Sequence, residues 1–295
     1  MQKRKIYNVA GHRFAVINAD EALLQQMTQY APFEETTADE ADGAPLVFSL
    51  TVAGGEAFPD VALTVDTTQD DEGSQIVAGH IDDGRSYFEF QLFGDRSARL
   101  LADNSYQSAM IWLEKHELYG INNAMMVLYA LATANKGTAL FHSAVVGRGG
   151  YGYMFLGKSG TGKSTHASLW RRYLDGTELL NDDNPVVRVF PDEVRVYGSP
   201  WSGKTPCYRN KSLPLGGIVQ LSQAPYNKIR RLRSIEAYAV LVPSISGKRW
   251  DKAVADGLHE TENALAGRVR VWHLECLPDE AAAVLSSSTI EHQEQ

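Results

Sequence analysis

Cysteine is scarce in this sequence: Cys207 and Cys276 are the only two among 295 residues. Two cysteines cannot form the multi-disulfide framework of a small secreted protein, so a reducing compartment is the expectation. The sequence contains neither a C-x-x-C nor an H-E-x-x-H motif. Nothing in it therefore predicts one of the common zinc sites.

Long apolar stretches are also missing. The longest uncharged stretch, residues 118–135, contains a glycine and three asparagines, which makes it poor material for a membrane span. The basic start at Lys3–Lys5 is not followed by the apolar segment of a signal peptide, because polar residues interrupt the chain from Asn8 onward. We therefore expect a cytoplasmic protein that does not bind membranes.

Charge is plentiful but unevenly distributed. The whole chain has a net charge of −8, yet residues 1–138 hold 20 acids and 9 bases (−11) and residues 139–295 hold 16 acids and 19 bases (+3). From Lys204 to Arg233 there are seven basic residues and no acidic one. This run is either a solvated face or edge strand protected by charge, or a surface for phosphate or an acidic partner. Because the chain is acidic as a whole, we do not expect nucleic acid as a partner.

Residues 1–104 predict a smaller, β-rich α+β domain of unknown role. A hairpin is expected over residues 6–17 around Gly11, followed by a helix that Asp20 caps and that runs to about Tyr30. Alternating or apolar segments predict strands at 46–52, 61–65 and 88–92. We expect the domain boundary at about residue 105.

Residues 105–295 predict a second domain of the α/β class. Two helices, broken near Gly120, are expected between residues 105 and 135. Strands and helices then alternate with glycine-rich turns, a pattern typical of α/β layers. The expected strands lie at 138–146, 151–156, 186–190, 194–197, 217–221 and 269–274, and the expected helices start near 164, 234, 248 and 279.

The strongest signal is a loop that matches G-x-x-x-x-G-K-[ST] at every position, with the sequence Gly157, Lys158, Ser159, Gly160, Thr161, Gly162, Lys163, Ser164 and then Thr165. It follows an expected strand and precedes an expected helix. Its glycines let backbone N–H groups turn toward phosphate oxygens, and the helix N-terminus adds partial positive charge. We expect Lys163 to bind the β- and γ-phosphates of ATP or another nucleoside triphosphate, and Ser164 to bind Mg²⁺. The alternative is a strand–helix turn that binds nothing.

A short apolar strand at residues 178–183 ends in two acids, Asp182 and Asp183, about 18 residues beyond the loop. One acid at such a strand end is placed to complete a Mg²⁺ site, and the other to orient or deprotonate an acceptor hydroxyl. The alternative is a simple polar turn, since Asn181 and Asn184 flank the pair. His142, on the strand before the glycine turn, is on its own more typical of a core residue.

These three motifs in this order resemble the P-loop superfamily that unites HPr kinase/phosphorylase with PEP carboxykinase. The resemblance covers about residues 138–200 and implies an HPr-kinase/PEP-carboxykinase-like P-loop fold for the C-terminal domain. It implies that residues 157–165 bind the nucleotide, that Ser164 and Asp182 hold Mg²⁺, and that Asp182 and Asp183 share the metal and base roles. It also raises His142 to a site residue near the transferred phosphoryl group. HPr kinases form hexamers, so the resemblance implies a homo-oligomer.

The sequence departs from these relatives in two places. Residues 195–198 lack the acid of the E-x-R-G signature of the bifunctional HPr enzymes, which argues against phosphorylase activity and recognition of HPr. The chain is also much shorter than PEP carboxykinase. The loop at 198–204 resembles that of small stand-alone HPr-kinase-like proteins, where Lys204 either contacts substrate or is an exposed loop lysine.

We therefore expect an ATP-dependent kinase that transfers a phosphoryl group to a hydroxyl of a peptide, protein or small molecule, with Asp182, Asp183, His142 and Lys163 as its catalytic residues. A regulatory module that binds nucleotide without transferring phosphate is the alternative. A PEP-carboxykinase-like enzyme is a less favoured third possibility.

Overall fold

The computed structural model describes residues 4–35 and 45–291. The chain divides into two compact units, Met1–Thr133 and Ala134–Gln295. The boundary expected at about residue 105 lies inside the first unit, because the strand and helix that follow that position pack on the first unit's sheet. No helix in the described ranges is long and apolar enough to cross a membrane.

The first unit contains an eight-stranded mixed sheet. Its strands are β1 (Arg4–Val9), β2 (His12–Ile17), β3 (Phe48–Val52), β4 (Leu63–Asp71), β5 (Ser74–Ile81), β6 (Ser86–Leu92), β7 (Asp95–Ala102) and β8 (Ser108–Leu113). Its helices are α1 (Glu21–Gln26), a 3-10 segment (Thr28–Phe33) and α2 (Glu117–Thr133). The strand order is β1-β2-β3-β8-β7-β6-β5-β4, with β3 parallel to both of its neighbours and the other pairs antiparallel.

Two local predictions for this unit are confirmed, namely the hairpin turn at Gly11 and the helix cap at Asp20. The first hairpin turns at Gly11, whose φ is 78°. Asp20 caps α1, because its Oδ1 accepts a hydrogen bond of 2.8 Å from the N–H of Leu23. The helix ends at Gln26 and not near Tyr30, since the chain continues there as a 3-10 segment.

The prediction of two helices broken near Gly120 is wrong. The first half of that range forms β8, and the second half is the single helix α2, which runs through Gly120. A Cβ added to Gly120 would lie 2.8 Å from the Cβ of Ala98 and 2.9 Å from the carbonyl oxygen of Ser97. The glycine therefore permits close packing of the helix on β7 and does not end the helix.

The second unit contains a nine-stranded mixed sheet and four α-helices among its described residues. The strands are β9 (Thr138–Leu140), β10 (Ser143–Arg148), β11 (Tyr151–Leu156), β12 (Glu178–Asp183), β13 (Val186–Val189), β14 (Val194–Tyr197), β15 (Ser212–Gln223), β16 (Lys228–Arg231) and β17 (Val271–Cys276). The helices are α3 (Lys163–Tyr173), α4 (Ser234–Leu241), a 3-10 segment (Val242–Ser244), α5 (Lys252–Arg268) and α6 (Glu280–Glu291).

The long strand β15 joins two parts of this sheet. Its C-terminal half runs parallel to β11 on one side and to β17 on the other, whereas its N-terminal residues pair antiparallel with β14. The helices α3 and α6 pack against each other and against strands of the sheet around Phe155, Trp170 and Trp272, all of which are buried. The expected α/β class is confirmed, with parallel and antiparallel pairs in one sheet.

One expected strand is two strands. Residues 138–146 were predicted as a single strand, but the chain leaves the sheet at His142 between β9 and β10. β9 then pairs with β13, while β10 pairs with β11 and β12. This interruption places His142 at the edge where β12 ends.

Candidate active site

A glycine-rich loop joins the end of β11 to the start of α3, so the expected strand–loop–helix order is present. Gly160 and Gly162 have φ values of 75° and 107°, in the left-handed region that favours glycine. A Cβ built on Gly160 meets nothing within 4 Å. The backbone conformation, and not crowding, is therefore what requires glycine at that position.

Lys163, the first residue of α3, folds back over the loop. Its Nζ donates to the carbonyl oxygen of Gly157 at 3.0 Å and to that of Lys158 at 3.4 Å. Thr161 bonds to the second of these oxygens as well, since its N–H and its Oγ1 donate to the carbonyl oxygen of Lys158 at 3.1 and 2.7 Å. The ammonium group of Lys163 therefore lies beside the left-handed glycines at a helix N-terminus, a combination that suits phosphate.

Gly162 occupies the N-cap position of α3. Because glycine has no side chain, no side-chain hydrogen bond caps the first turn of the helix. The first N–H groups of a helix have no partner within the helix, and they favour negative charge. The flanking side chains of Lys158, Ser159 and Thr165 are exposed. The residues expected to contact the nucleotide thus lie together around one accessible loop.

Ser164 and Asp182 meet as the metal prediction requires. The Oγ of Ser164 donates to the Oδ1 of Asp182 at 2.7 Å, although the two residues lie on different elements, α3 and β12. Asp182 is 3% exposed. A hydroxyl and a carboxylate offer the hard oxygen ligands that Mg²⁺ prefers, and protein Mg²⁺ sites commonly use one or two such groups together with substrate phosphates.

No group of three His, Cys, Asp or Glu side chains with metal-binding geometry occurs in the described ranges. A metal bound by Ser164 and Asp182 therefore needs oxygens from water or substrate to complete its coordination. The chemistry of the pair fits Mg²⁺ delivered with a nucleotide and does not fit a structural zinc site.

Asp183, the neighbouring acid, has a different partner. Its Oδ1 lies 2.9 Å from the Nδ1 of His142, and both side chains are partly exposed, by 32% and 45%. The antiparallel register explains the pair, since Ser143 lies opposite Asp183 and His142 directly precedes Ser143. The other carboxylate oxygen of Asp183 accepts a hydrogen bond of 2.8 Å from Nδ2 of Asn184.

The backbone of Asp183 is strained. Its φ is 141°, a value that non-glycine residues rarely adopt and that costs about 1–3 kcal/mol. Residues held in such conformations cluster at active sites and ligand clamps, where the surrounding structure enforces them. The strain sets Asp183 apart from its neighbour Asp182, whose φ is not positive.

The buried side-chain amide of Asn181 fixes the turn at residues 181–184 by hydrogen bonds. The Nδ2 of Asn181 donates to the Oγ of Ser199 and to the carbonyl oxygen of Trp201, both at 3.2 Å, and its Oδ1 accepts from the N–H of Asn184 at 3.0 Å. Ser199 in turn donates to the carbonyl oxygen of Asn184 at 2.6 Å. Asn181 and Ser199 are fully buried. The sequence indicated only turn chemistry at Asn181, and its partner at Ser199 carried no separate signal.

The loop at residues 198–204 packs directly on the two acids. The N–H of Gly203 donates to the carbonyl oxygen of Asp182 at 2.5 Å, and the Oγ of Ser202 donates to the same oxygen at 3.2 Å. A Cβ on Gly203 would lie 3.1 Å from the Cβ of Asp183. Lys204, which follows on this loop, is exposed.

The basic run from Lys204 to Arg233 is spread over several elements, and part of it is paired with acids. Arg209 and Lys211 both pair with Glu178 at the start of β12. Residues 228–231 form β16, a strand that was not predicted and that pairs only with β17 among the described strands, so this part of the run matches the interpretation of an edge strand protected by charge. Two further basic side chains of the run, Arg230 and Arg233, pair with Glu236.

His166, on α3 behind the loop, has a structural role. It is 2% exposed, and burial lowers the pKa of its imidazole to about 4. Its Nε2 lies 3.0 Å from the Oγ of Ser286 on α6, and the indole N–H of Trp170 donates to both groups. A neutral His166 therefore joins α3 to α6 behind the phosphate loop.

A scan of the sequence against protein-family models matches none of them, and a search of curated proteins gives no significant match. The resemblance to the HPr kinase and PEP carboxykinase superfamily therefore rests on the motifs around His142, the phosphate loop and the paired acids. The geometry shows a glycine-rich strand–loop–helix segment beside two acids with separate partners.

Proposed function

We propose that this protein is an ATP-dependent kinase that transfers a phosphoryl group to a hydroxyl of a peptide, protein or small molecule. One observation carries the proposal: the adjacent acids have different partners. Asp182 meets the hydroxyl of Ser164 beside the phosphate loop, whereas Asp183 meets the imidazole of His142. A metal-binding acid next to an acid available to an acceptor is the arrangement that phosphoryl transfer needs.

The nucleoside triphosphate is a substrate in this proposal, and residues 157–165 bind its phosphates. The backbone N–H groups around Gly160 and Gly162 face the phosphate oxygens, and Lys163 moves from the loop carbonyls to the β- and γ-phosphates. Bound Mg²⁺ supplies positive charge that neutralises the phosphates. Ser164 and Asp182 are the residues that would hold it.

Asp183 acts on the acceptor. Its carboxylate accepts the proton of the acceptor hydroxyl while the hydroxyl oxygen forms a bond to the γ-phosphorus, and the bond from that phosphorus to the β–γ bridging oxygen breaks. The nucleoside diphosphate leaves with the electron pair of the broken bond. His142 donates from Nδ1 to the carboxylate and so holds it toward the acceptor, and Lys163 stabilises charge on the transferred group.

The fold proposal follows from the same region. A strand, a glycine-rich loop and a helix, with the loop strand β11 parallel to β15 and the paired acids on the nearby strand β12, support a P-loop fold of the HPr-kinase-like type. β12 reaches β11 through β10, and β10 is antiparallel to both of them.

Transfer of labelled γ-phosphate to components of a cell extract tests the proposal. We expect Asp183→Asn to lower the rate about 10²- to 10⁴-fold, the usual contribution of a general base, while MgATP still binds. Asp192→Asn is the matched control, because Asp192 is an exposed acid in the turn between β13 and β14. Equal transfer by the wild type and Asp183→Asn would contradict the assignment.

The same assay separates the kinase from the regulatory module. A wild-type protein that binds MgATP but never transfers label, whatever extract or acceptor is supplied, is a nucleotide sensor and not a kinase. The strained backbone of Asp183 and its pairing with His142 favour catalysis, because a sensor needs neither.

A further inference from the structure

The sheet of the first unit ends in two edge strands, β1 and β4, which differ in how far other segments cover them. At β1, Tyr7 forms an antiparallel bridge with Glu34, and the N–H of Glu35 donates to the carbonyl oxygen of Ile6 at 2.9 Å. The outer side of β1 is therefore partly covered by the chain itself. Among the described strands, β4 pairs only with β5.

The strand β4 is long and open. Eight of its nine residues are exposed, so the described part of the chain leaves both of its faces accessible. In an antiparallel edge strand, every second residue directs its N–H and C=O outward, where another strand can pair with them. Natural edge strands are commonly short or carry lysine, which discourages such pairing. β4 has neither lysine nor arginine.

The sequence around β4 is acidic. Residues 14–84 hold 15 acids and no lysine or arginine. Asp66, Asp70 and Asp71 lie on β4 itself, and Glu72 follows in the turn to β5. A second copy of β4 would bring like charges together, which disfavours pairing between two such strands. A strand rich in lysine or arginine has the complementary charge.

The N-terminal half of β4 also exposes apolar side chains. Leu63 is 42% exposed and Val65 is 57% exposed. Leu63 lies opposite Ile81 on β5, and residues directly opposite each other share one face of a sheet. Ile81 belongs to a buried cluster with Tyr87, Leu101 and Trp112. Leu63 therefore extends the apolar face of this cluster to the open edge.

A β-bulge limits which strands can pair with this edge. The register between β4 and β5 shifts between Val65 and Thr67. Bulges and charges on an edge strand reduce indiscriminate pairing, because they bend the strand and repel similar ones. Residues 67–71 still pair with β5 in regular register, so a continuous stretch of edge remains. The edge is thus selective for a partner that supplies opposite charge.

We propose that β4 binds an extended, basic segment of another polypeptide by strand addition. The backbone of the partner forms hydrogen bonds with the outer side of β4, and its lysine or arginine side chains meet Asp70 and Asp71. An apolar side chain of the partner packs on Leu63 and Val65. The proposal is independent of the proposed function, because it concerns the sheet of the first unit and requires no nucleotide.

Fluorescence anisotropy with labelled synthetic peptides provides the first test. The probe is a peptide of alternating lysine and valine with the same length as β4, and the control is the same peptide N-methylated on its three central residues. N-methylation blocks both edges of the peptide without changing its charge. We expect the unmodified peptide to bind at least about tenfold more tightly, because several backbone hydrogen bonds are lost in the control. Equal binding of the two peptides, or no binding of either, overturns the proposal.

A pair of double variants tests the charge contacts. We expect Asp70→Asn with Asp71→Asn to weaken binding of the unmodified peptide about three- to tenfold, as two exposed charge contacts are lost. The matched control is Asp192→Asn with Glu260→Gln, which makes the same change in net charge at exposed acids of the second unit. Equal weakening by both double variants, or no weakening by the first, would show that the peptide does not bind at β4.

Val65→Lys tests the apolar contact and the alternative that the edge pairs with a second copy of this chain. We expect it to weaken peptide binding at least about tenfold, whereas Val284→Lys, at an exposed valine on α6, changes binding by less than about twofold. Equal effects of the two variants overturn the assignment. A wild-type dimer in sedimentation that Val65→Lys dissociates would assign the edge to a second copy and also overturn the proposal.

Hydrogen exchange of the wild type gives a readout that needs no variant. We expect the unmodified peptide to slow amide exchange in residues 63–71 and to leave exchange in residues 4–9, on β1, unchanged, because only β4 gains backbone partners. Equal slowing at both edges, or no slowing in residues 63–71 at a saturating peptide concentration, contradicts strand addition at β4.

Discussion

At the scale of single residues, the paired acids show what strand register adds to a motif. Asp182 and Asp183 are adjacent in sequence, and their spacing alone does not say which acid has the metal role and which the base role; only the resemblance assigns the metal to Asp182. Because consecutive side chains of a strand point to opposite faces, one acid meets Ser164 and the other meets His142. The interruption between β9 and β10 completes the arrangement, since it frees His142 from the sheet.

His166 makes the stability of the second unit depend on pH. Burial lowers its pKa from 6.5 to about 4, so between those values the unfolded chain binds a proton that the folded chain does not. Stability therefore falls as the pH falls through this window, by about 2 kcal/mol at pH 5 relative to pH 7.5.

Urea unfolding at pH 7.5 and pH 5.0 checks this prediction. Tryptophan fluorescence is a suitable probe, because four of the five tryptophans lie in the second unit. We expect His166→Gln to be less stable at pH 7.5 but to lose about 2 kcal/mol less than the wild type on acidification. An identical loss in both proteins would show that His166 does not carry the effect.

At the scale of elements, packing determines whether a glycine ends a helix or lies within it. Gly120 was predicted to break a helix, yet it lies inside α2, where the helix packs closely on Ser97 and Ala98 of β7. Glycine in a helix interior costs about 1 kcal/mol relative to alanine. A methyl group at Gly120 would meet the backbone oxygen of Ser97 at 2.9 Å, and overpacking of this kind costs about 1–3 kcal/mol.

We therefore expect Gly120→Ala to destabilise the first unit by up to about 2 kcal/mol, the overpacking cost less the gain of replacing a helical glycine, because a backbone oxygen cannot move aside as a flexible side chain can. Gly267→Ala is the matched control. Gly267 lies in the last turn of α5, and a Cβ there meets nothing within 4 Å, so the same substitution should stabilise by up to about 1 kcal/mol. Thermal unfolding measures both changes, and a stabilised Gly120→Ala would contradict the packing argument.

The elements that were predicted correctly are determined by residues that lie close together in the sequence. The hairpin at Gly11, the cap at Asp20 and the order of β11, loop and α3 all depend on residues within a few positions of each other. The errors depend on distant partners. The strand β8 is fixed by pairing with β3 and β7, and β16 by pairing with β17, neither of which a local pattern can reveal.

In the candidate site, too, some features can be predicted from local sequence and others cannot. The loop residues and the two acids are recognisable from motif and spacing. The buried network of Asn181 and Ser199 and the contact of Gly203 with Asp182 require segments that are far apart in sequence to come together. A pattern within one segment carries no information on which other segment covers it.

At the scale of the whole molecule, the two units have net charges of opposite sign. Residues 1–133 hold 20 acids and 8 bases (−12), and residues 134–295 hold 16 acids and 20 bases (+4). The unit that carries the phosphate loop is thus the one whose net charge favours anionic ligands. The net charge of −8 for the whole chain conceals this difference.

Metal-dependent nucleotide binding is the central claim, because the transfer chemistry depends on it. Calorimetric titration of ATP into the wild type and Asp182→Asn, each with Mg²⁺ and with chelator, tests it most directly, with Asp192→Asn as control. We predict that Mg²⁺ strengthens binding to the wild type and that Asp182→Asn weakens MgATP about 10- to 100-fold, as expected for a lost charged contact, without changing the metal-free affinity. Binding of MgATP to Asp182→Asn with wild-type affinity, or no binding to the wild type at all, would contradict the account.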